Sequence, residues 1–158
     1  MFKIFAFVFC LQMLSVITKG QEQDPLSSPE KITSHLLSLV SIEAGEEIPY
    51  ESIKNLFVEN ARLSILNQED SAFVETVSIN EFIELLNDPY YKNGFIEKPL
   101  GAVSEEFNGV AQVFQSFEAM DSEGESGRGI YSFQLAYFNG RWWIISLVWT
   151  TTDGVENT

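Results

Sequence analysis

The sequence predicts an α+β domain in which short helices come first and a mostly antiparallel sheet follows. Apolar residues recur at helical spacing in three segments between residues 28 and 88. After Gly94 the apolar period changes to two, which is typical of strands. The dipeptide Asn139-Gly140 joins two aromatic strands and is the preferred turn of a tight hairpin. Helices followed by neighbouring strands favour the α+β class over alternating parallel units.

The first two helices are predicted from their caps and apolar spacing. Ser28 is a suitable N-cap and Pro29 a favoured first residue, while Gly45 can end the element. A shorter helix is predicted over residues 50–59, followed by a strand over residues 61–66.

The third helix carries the clearest start signal. Ser78 and Glu81 have the spacing of a capping box, in which each side chain bonds the other residue's backbone N–H. The helix is therefore predicted to begin at Ile79 and to end near Pro89.

The second half of the chain is predicted to consist of strands. Residues 95–103 and 110–120 alternate in polarity, and Asn108-Gly109 marks a turn between them. Residues 121–129 form a polar, glycine-rich segment whose residue types are those of a solvated hairpin loop.

The hairpin over residues 131–149 is predicted to be apolar on both faces. A two-residue turn pairs Phe138 with Arg141, and strict alternation then assigns the remaining residues to faces. The inward face comprises Tyr131, Phe133, Leu135, Tyr137, Trp142, Ile144, Ser146 and Val148. The outward face includes Gln134, Trp143, Ile145, Leu147 and Trp149. Since neither face suits water, both are expected to be covered.

The N-terminus has the layout of a secretory signal peptide. Lys3 precedes an apolar run over residues 4–17, and a cut near Gly20 has small residues at the expected positions. A membrane anchor is the alternative, but a span needs about 20 apolar residues. The predicted organisation is a signal peptide (1–20), a flexible segment (21–28), the domain (29–152) and a tail (153–158). Localisation is expected to be secreted or periplasmic in a bacterium.

Composition excludes several classes of function. Residues 1–20 contain two lysines and no acid, so the remaining chain carries 7 basic and 23 acidic groups, a formal charge of −16. Such a charge argues against nucleic acid and against anionic membrane surfaces as partners. Cys10 leaves with the signal peptide, which excludes cysteine catalysis and thiolate metal sites. No cofactor and no metal is expected.

Three blocks of sequence together resemble the nuclear transport factor 2-like superfamily, in its bacterial SnoaL-like branch. The blocks are SIEAGE (41–46) with IKNLFVENARL (53–63), VSINEFI (77–83) with GFIE (94–97), and GRGIYSFQL (127–135) with GRWWIISL (140–147). The resemblance covers residues 30–152 and depends on the order and spacing of the blocks.

The resemblance implies a cone, in which a strongly curved sheet wraps around three N-terminal helices and encloses an apolar pocket. The residues then expected to line the pocket are Leu36, Phe57, Phe82, Leu86, Phe95, Val113, Phe117, Tyr131, Phe133, Trp142 and Ser146. Members commonly dimerise through the outer face of the sheet. A homodimer is therefore expected, with Gln134, Trp143, Ile145, Leu147 and Trp149 at the interface.

Catalytic members place a carboxylate, often with Tyr or His, inside the cone. This sequence departs from that pattern, with Leu37 and Ser38 where relatives often carry Tyr and Asp, and Ser146 and Val148 where many carry histidines. No catalytic residue is therefore predicted firmly. Glu97, at the cone wall, and His35, the only histidine, are the weak candidates.

Three functions remain open from the sequence. The leading prediction is an exported, non-catalytic domain that binds a small apolar ligand or acts as an interaction module. The second is a SnoaL-like isomerase, dehydratase or cyclase with Glu97 or His35 as base. The third is a structural dimerisation module whose cone is filled by its own side chains. The depth of Glu97 separates the first two, because only a buried carboxyl is a tuned base.

Overall fold

A computed structural model describes residues 24–68 and 72–151. The predicted signal peptide with its cleavage site near Gly20, and the predicted tail at 153–158, lie outside the described residues. Of the segment predicted to be flexible, residues 24–28 are described. They form a turn in which the carbonyl of Leu26 accepts a hydrogen bond of 3.1 Å from the N–H of Trp142. This part is therefore bonded to the sheet rather than separate from the domain.

Within the described part of the chain, four short helices flank a single sheet. The helices are α1 (Pro29–Val40), α2 (Tyr50–Lys54), α3 (Ile79–Leu85) and α4 (Pro89–Lys92). Ser28 caps α1 by accepting from the N–H of Lys31, and the capping box of Ser78 and Glu81 starts α3, both as predicted. No helix among residues 24–68 and 72–151 has the length and apolarity that crossing a bilayer requires.

Six described strands form one sheet with the order β2-β1-β6-β5-β4-β3. They are β1 (Phe57–Asn67), β2 (Phe73–Ser78), β3 (Phe95–Phe107), β4 (Val110–Asp121), β5 (Ser126–Phe138) and β6 (Arg141–Thr151). The β1–β6 pair is parallel and the other pairs are antiparallel. The predicted α+β class, with a curved and mostly antiparallel sheet, is confirmed.

Several predicted element boundaries are wrong, those of helices among them. The helix predicted over residues 50–59 ends at Lys54, because Phe57 already pairs with Ile144 of β6. A fourth helix was not predicted: the side chain of Asp88 accepts from the N–H of Tyr90, and Pro89 opens α4. Proline at this point therefore begins a new helical turn instead of only ending α3.

The side chains of the final hairpin point to the predicted faces near the turn, but to the opposite faces after Ile145. Phe138 pairs with Arg141 and Leu135 with Ile144, but Gln134 pairs with Ser146. Ile145 is therefore the extra residue of a β-bulge, and a one-residue offset moves every later side chain to the opposite face.

The bulge overturns several predicted positions. Leu147 is buried in the core with 1% exposure, and Trp149 packs against the same core. Ser146 and Val148 lie on the outer face instead, where Ser146 donates a 3.3 Å hydrogen bond to Gln134. Leu147 and Trp149 are thus not outer-face residues, and Ser146 is not inside the cone.

The core lies between α1, α2 and the concave face of the sheet. Ile32, Leu36 and Leu37 of α1 are buried against β3, β4 and β6. Phe133, Leu63 and Ile144 supply the sheet side and are fully buried. This packing fills one part of the cone and leaves the part beside α3 and α4 for a cavity.

Candidate functional site

A cavity of about 300 Å³ opens between α3, α4 and the concave face of the sheet. Its wall combines a ring of aromatic side chains with a polar rim from the β4–β5 loop. The lining residues are Val40, Phe82, Leu86, Tyr90, Tyr91, Phe95, Glu97, Phe117, Ala119, Asp121, Glu125, Ser126, Gly127, Arg128, Tyr131, Trp149 and Thr151. The volume is at the lower end of the range for small-molecule sites.

Glu97 is the buried carboxyl of this wall. Its side chain is 8% exposed, and its Oε1 accepts a hydrogen bond of 2.8 Å from the hydroxyl of Tyr131. Its Oε2 is buried and has no hydrogen-bond partner among the described atoms. Burial raises the pKa of Glu97 to about 7, and the hydrogen bond from Tyr131 partly opposes that rise. The group therefore changes its protonation state near neutral pH.

The backbone of Glu97 is fixed by the end of α1. The hydroxyl of Ser41 accepts from the N–H of Glu97 at 2.8 Å and donates to the carbonyl of Leu37 at 2.8 Å. Ile42 and Phe95 exchange two backbone hydrogen bonds, of 2.7 and 2.9 Å. Because the residues that end α1 are bonded to β3 at Phe95 and at Glu97, the backbone that carries this carboxyl is fixed at the cavity wall.

Aromatic rings enclose the carboxyl. The ring of Tyr131 lies 4.5 Å from that of Phe117 and 6.3 Å from that of Trp149, centroid to centroid. Phe82 of α3 meets Trp149 edge-on at 6.0 Å. Phe117 lies over the backbone of Gly129, where an added Cβ would stand 2.3 Å from its Cζ. Glycine at this position therefore makes room for one wall of the cavity.

The tyrosine hydroxyls of the cavity stay neutral at ordinary pH. Burial, followed by the charge of Glu97, raises the pKa of Tyr91 to about 12. The same two causes raise the pKa of Tyr131 well above its usual value. These hydroxyls are thus hydrogen-bond donors and acceptors rather than proton sources for a base.

The rim is built by a tight turn at the end of β4. Asp121 Oδ1 accepts from the N–H groups of Glu123 and Glu125, at 2.9 and 3.0 Å. Arg128 also lines the rim, and its Nη2 lies 3.3 Å from Glu118 Oε1. Within the described residues no group of three or more His, Cys, Asp or Glu side chains is placed to hold a metal ion.

Five of the residues predicted to line the pocket do so, namely Phe82, Leu86, Phe95, Phe117 and Tyr131. Five others, Leu36, Phe57, Val113, Phe133 and Trp142, are buried in the core instead. Leu36 belongs to α1 itself, and the other four face inward but are covered by the packed core, which leaves no cavity beside them. The eleventh, Ser146, is on the outer face because of the bulge.

The two catalytic candidates have different environments. Glu97 lines the cavity, whereas His35 is half-buried on α1 and does not line it. Sequence reasoning missed Tyr90, Tyr91 and Trp149. Asp88-Pro89 has the residue types of a helix start, and this signal could have placed Tyr90 and Tyr91 on a short helix. No residue type marks the bulge that turns Trp149 inward.

The outer face of the sheet retains three of the five residues predicted for a dimer interface. Gln134, Trp143 and Ile145 lie there, while Leu147 and Trp149 are inside. The guanidinium carbon of Arg141 lies 3.3 Å above the Trp143 ring, and Phe138 stacks on that ring at 5.2 Å. Other apolar side chains exposed on strands β3, β4 and β6 include Val103, Phe107, Val110, Phe114 and Val148.

No protein-family model and no curated protein matches the sequence. Solved structures do match the fold. A protein of unknown function with a cystatin-like fold from Nostoc punctiforme is 11% identical, with 80% of this chain and 90% of that chain covered and a TM-score of 0.61. A nuclear transport factor 2-like protein with a cystatin-like fold from Novosphingobium aromaticivorans is 10% identical, with coverages of 80% and 83% and a TM-score of 0.59.

An enzyme is also among the similar structures. A hexachlorocyclohexane dehydrochlorinase is 13% identical, with 80% of this chain and 88% of that chain covered and a TM-score of 0.56. At such identities the similarity shows the fold alone. The predicted cystatin-like, nuclear transport factor 2-like fold is confirmed, and the SnoaL-like branch stays a prediction.

Proposed function

Because the chain has the nuclear transport factor 2-like fold, we propose that its cavity binds a small, largely apolar molecule and that Glu97 transfers a proton to or from it. The observation that carries this proposal is the buried, unpartnered Oε2 of Glu97. The reaction classes that fit are isomerisation, elimination of water and cyclisation, each of which needs one well-placed base or acid.

The surroundings of Glu97 suit proton transfer. A general base is most effective when its pKa lies near the working pH, and burial brings the pKa of Glu97 to about 7. The hydrogen bond from Tyr131 occupies Oε1 and leaves Oε2 for a substrate proton. The rings of Phe117 and Trp149 line the same cavity, so an acid–base pair formed at Glu97 lies beside apolar surface and is weakened less than one in open solvent.

The open cavity favours a ligand site over a filled structural cone. Its volume of about 300 Å³ leaves room for a ligand of one or two rings. One of the similar structures is, by its name, an elimination enzyme. This precedent supports proton chemistry on the fold without assigning a substrate to this chain.

The test is deuterium exchange of C–H groups next to a carbonyl. Three small ketones, cyclohexanone, 2-cyclohexenone and α-tetralone, are incubated with the protein in deuterated buffer and followed by proton NMR. We expect exchange above the buffer rate, loss of that excess in Glu97→Gln, and retention in Glu84→Gln, whose carboxyl is exposed on α3 outside the cavity. The proposal would be contradicted if all three ketones exchange at the buffer rate, or if Glu97→Gln exchanges them as fast as the wild type.

Non-catalytic binding of a small apolar ligand is the second candidate. The observation that favours it is that Glu97 is the only buried titratable carboxyl among the described cavity residues, with no histidine beside it. Native mass spectrometry of the protein purified from its host tests it. A retained molecule that is recovered unchanged after prolonged incubation supports binding alone, and its conversion supports catalysis.

We also propose that the protein is exported and forms a homodimer through the outer face of the sheet. Export is supported by the signal-like sequence of residues 1–20. The dimer is supported by the apolar residues exposed around Trp143 and Ile145, since such patches usually mark interfaces. Native mass spectrometry reports both properties, because it gives the mass of the mature chain and of its assembly.

A further inference from the structure

The charges around the cavity have one predominant sign. Its described wall contains the carboxyls of Glu97, Asp121 and Glu125 and a single guanidinium, that of Arg128. That guanidinium also donates to Glu118, so part of its charge is compensated outside the wall. The whole chain is acidic as well, with a formal charge of −14. A ligand that enters this cavity therefore meets a negative potential.

The same carboxyls act on Tyr90, which also lines the cavity. Its pKa is raised first by burial and then by the charges of Asp121, Glu125 and Glu97. All three carboxyls thus act on one ring at the edge of the cavity. Tyr90 also contacts Tyr91 and Phe95, with ring centroids 5.0 and 5.6 Å away, so the negative region is lined by aromatic faces.

Aromatic faces combined with carboxylates are the chemistry that recognises organic cations. The ring quadrupole attracts a cation lying over its face, and a nearby carboxylate supplies the opposite charge. A carboxylate ligand, in contrast, would be repelled by the rim carboxylates of Asp121 and Glu125. Clustered acids alone do not define a site, but Glu97, whose buried Oε2 has no hydrogen-bond partner among the described atoms, lines the same cavity and marks it as a ligand site.

We infer that the ligand of this cavity carries a protonated amine on an apolar body, with the ammonium group held at the rim between Tyr90 and the carboxylates of Asp121 and Glu125. This inference rests on the proposed function and names its substrate class. The apolar body extends inward to Glu97.

The rim is the better place for the cation on energetic grounds. An ammonium ion beside Glu97 would lose its hydration completely, which is costly even when a charge is paired. It would also hold Glu97 ionised and occupy the oxygen that proton transfer requires. Glu125 is solvent-exposed, so a cation there keeps part of its hydration and leaves Glu97 free.

The experiment compares three probes of one shape and different charge. Benzylammonium, benzyl alcohol and benzoate are titrated into the full protein at pH 7 and low salt, and backbone amide NMR shifts give affinities and the site. We expect benzylammonium to bind about tenfold more tightly than benzyl alcohol, with benzoate weakest. Shifts are expected at the cavity residues Tyr90, Phe95 and Trp149.

Two variants of the same loop give a matched pair. Glu125→Gln is expected to reduce benzylammonium affinity several-fold and to leave benzyl alcohol unchanged. Glu123→Gln removes the same charge from the same loop outside the cavity wall and is expected to change neither. Asp121→Asn keeps the Oδ1 acceptor of the turn and is expected to act like Glu125→Gln.

The outcomes separate this inference from the proposed function. Equal affinity for the amine and the alcohol, or equal losses in Glu125→Gln and Glu123→Gln, overturns the inference while leaving proton exchange by Glu97 intact. Amine selection without Glu97-dependent exchange supports the inference and contradicts catalysis. If no probe shifts a cavity residue, both the inference and the ligand site are overturned.

Discussion

The hydroxyl of Tyr131 donates a 2.8 Å hydrogen bond to Oε1 of Glu97, while Oε2 of the same carboxyl has no partner among the described atoms. The two side chains come from β5 and β3, strands that lie on either side of β4. The pair thus joins the two strands across the concave face. The hydrogen bond stabilises the ionised carboxyl, and burial opposes ionisation more strongly.

Tyr131→Phe is expected to raise the pKa of Glu97 above its present value of about 7. The variant removes the one hydrogen bond that the described residues give to the carboxyl and leaves its burial unchanged. Carbon-13 NMR of the labelled Glu97 carboxyl, followed through a pH titration, measures the change. Tyr137→Phe is the control, because that side chain is exposed and does not line the cavity. A lower or unchanged pKa in Tyr131→Phe would show that the hydrogen bond does not govern Glu97.

Glu97 is expected to make the free energy of unfolding decrease as pH rises. Its pKa is 4.5 in the reference state and about 7 in the folded protein, so the folded state holds a proton that the unfolded state releases. The contribution is fully present below pH 4.5 and is lost as pH rises through about 7. Over that range the loss amounts to about 3 kcal/mol.

Urea denaturation at pH 4.5 and pH 8 tests this expectation. The difference in unfolding free energy between the wild type and Glu97→Gln isolates the group, since the other acids titrate equally in both proteins. Wild type is expected to lose stability relative to Glu97→Gln as the pH is raised. A gain, or parallel curves, would mean that Glu97 is not protonated in the folded protein at neutral pH.

Sequence patterns predicted the fold where local chemistry determines it. The cap at Ser28, the capping box at Ser78 and the turn at Asn139-Gly140 all lie where predicted, because each depends on residues within a few positions of one another. The inward position of Glu97 also follows from alternation after Phe95. How deeply Glu97 is buried does not follow from alternation, because burial depends on the helices α3 and α4 that cover this residue.

The errors in the predicted faces and in the predicted pocket lining have two physical causes. Trp149 and Leu147 were assigned to the wrong face because a bulge at Ile145 breaks strict alternation. Isoleucine has no special backbone preference for a bulge, so composition contains no signal for it. Likewise Phe133 and Trp142 face inward as predicted, but whether an inward residue lines a cavity or fills a core depends on what packs above it.

The bulge predicts opposite effects for two neighbouring substitutions. Leu147→Ala is expected to lower the unfolding free energy by about 2–5 kcal/mol, as for other buried leucines. Val148→Ala is expected to change it by less than about 1 kcal/mol, because Val148 is 42% exposed. Thermal and urea denaturation measure both. If alternation were uninterrupted, Val148 would be buried and Leu147 exposed. A larger loss of stability in Val148→Ala than in Leu147→Ala would therefore contradict the bulged register.

Gly129→Ala is expected to disturb the cavity through Phe117. A Cβ at this position would lie 2.3 Å from Phe117 Cζ and 2.7 Å from the carbonyl oxygen of Thr150, which is backbone and cannot yield easily. Overpacking of this kind costs about 1–3 kcal/mol. Gly101→Ala is the control, since its added Cβ would meet nothing within 4 Å. Denaturation curves and near-ultraviolet circular dichroism of the aromatic wall measure the effect, and equal stability of the two variants would show that Phe117 adapts freely.

Phe114→Glu is expected to convert the proposed homodimer into a monomer. Phe114 lies on the outer face of β4, paired with Val103 of β3, and both side chains are substantially exposed. In the dimer, the two introduced glutamates, one from each chain, would lie near the two-fold axis. They would repel each other and lose hydration, so association should weaken strongly. Phe73→Glu is the matched control, because Phe73 is 52% exposed on the edge strand β2, away from this face. Sedimentation equilibrium decides: a wild-type monomer, or a Phe114→Glu variant that still dimerises, would show that the outer face is not the interface.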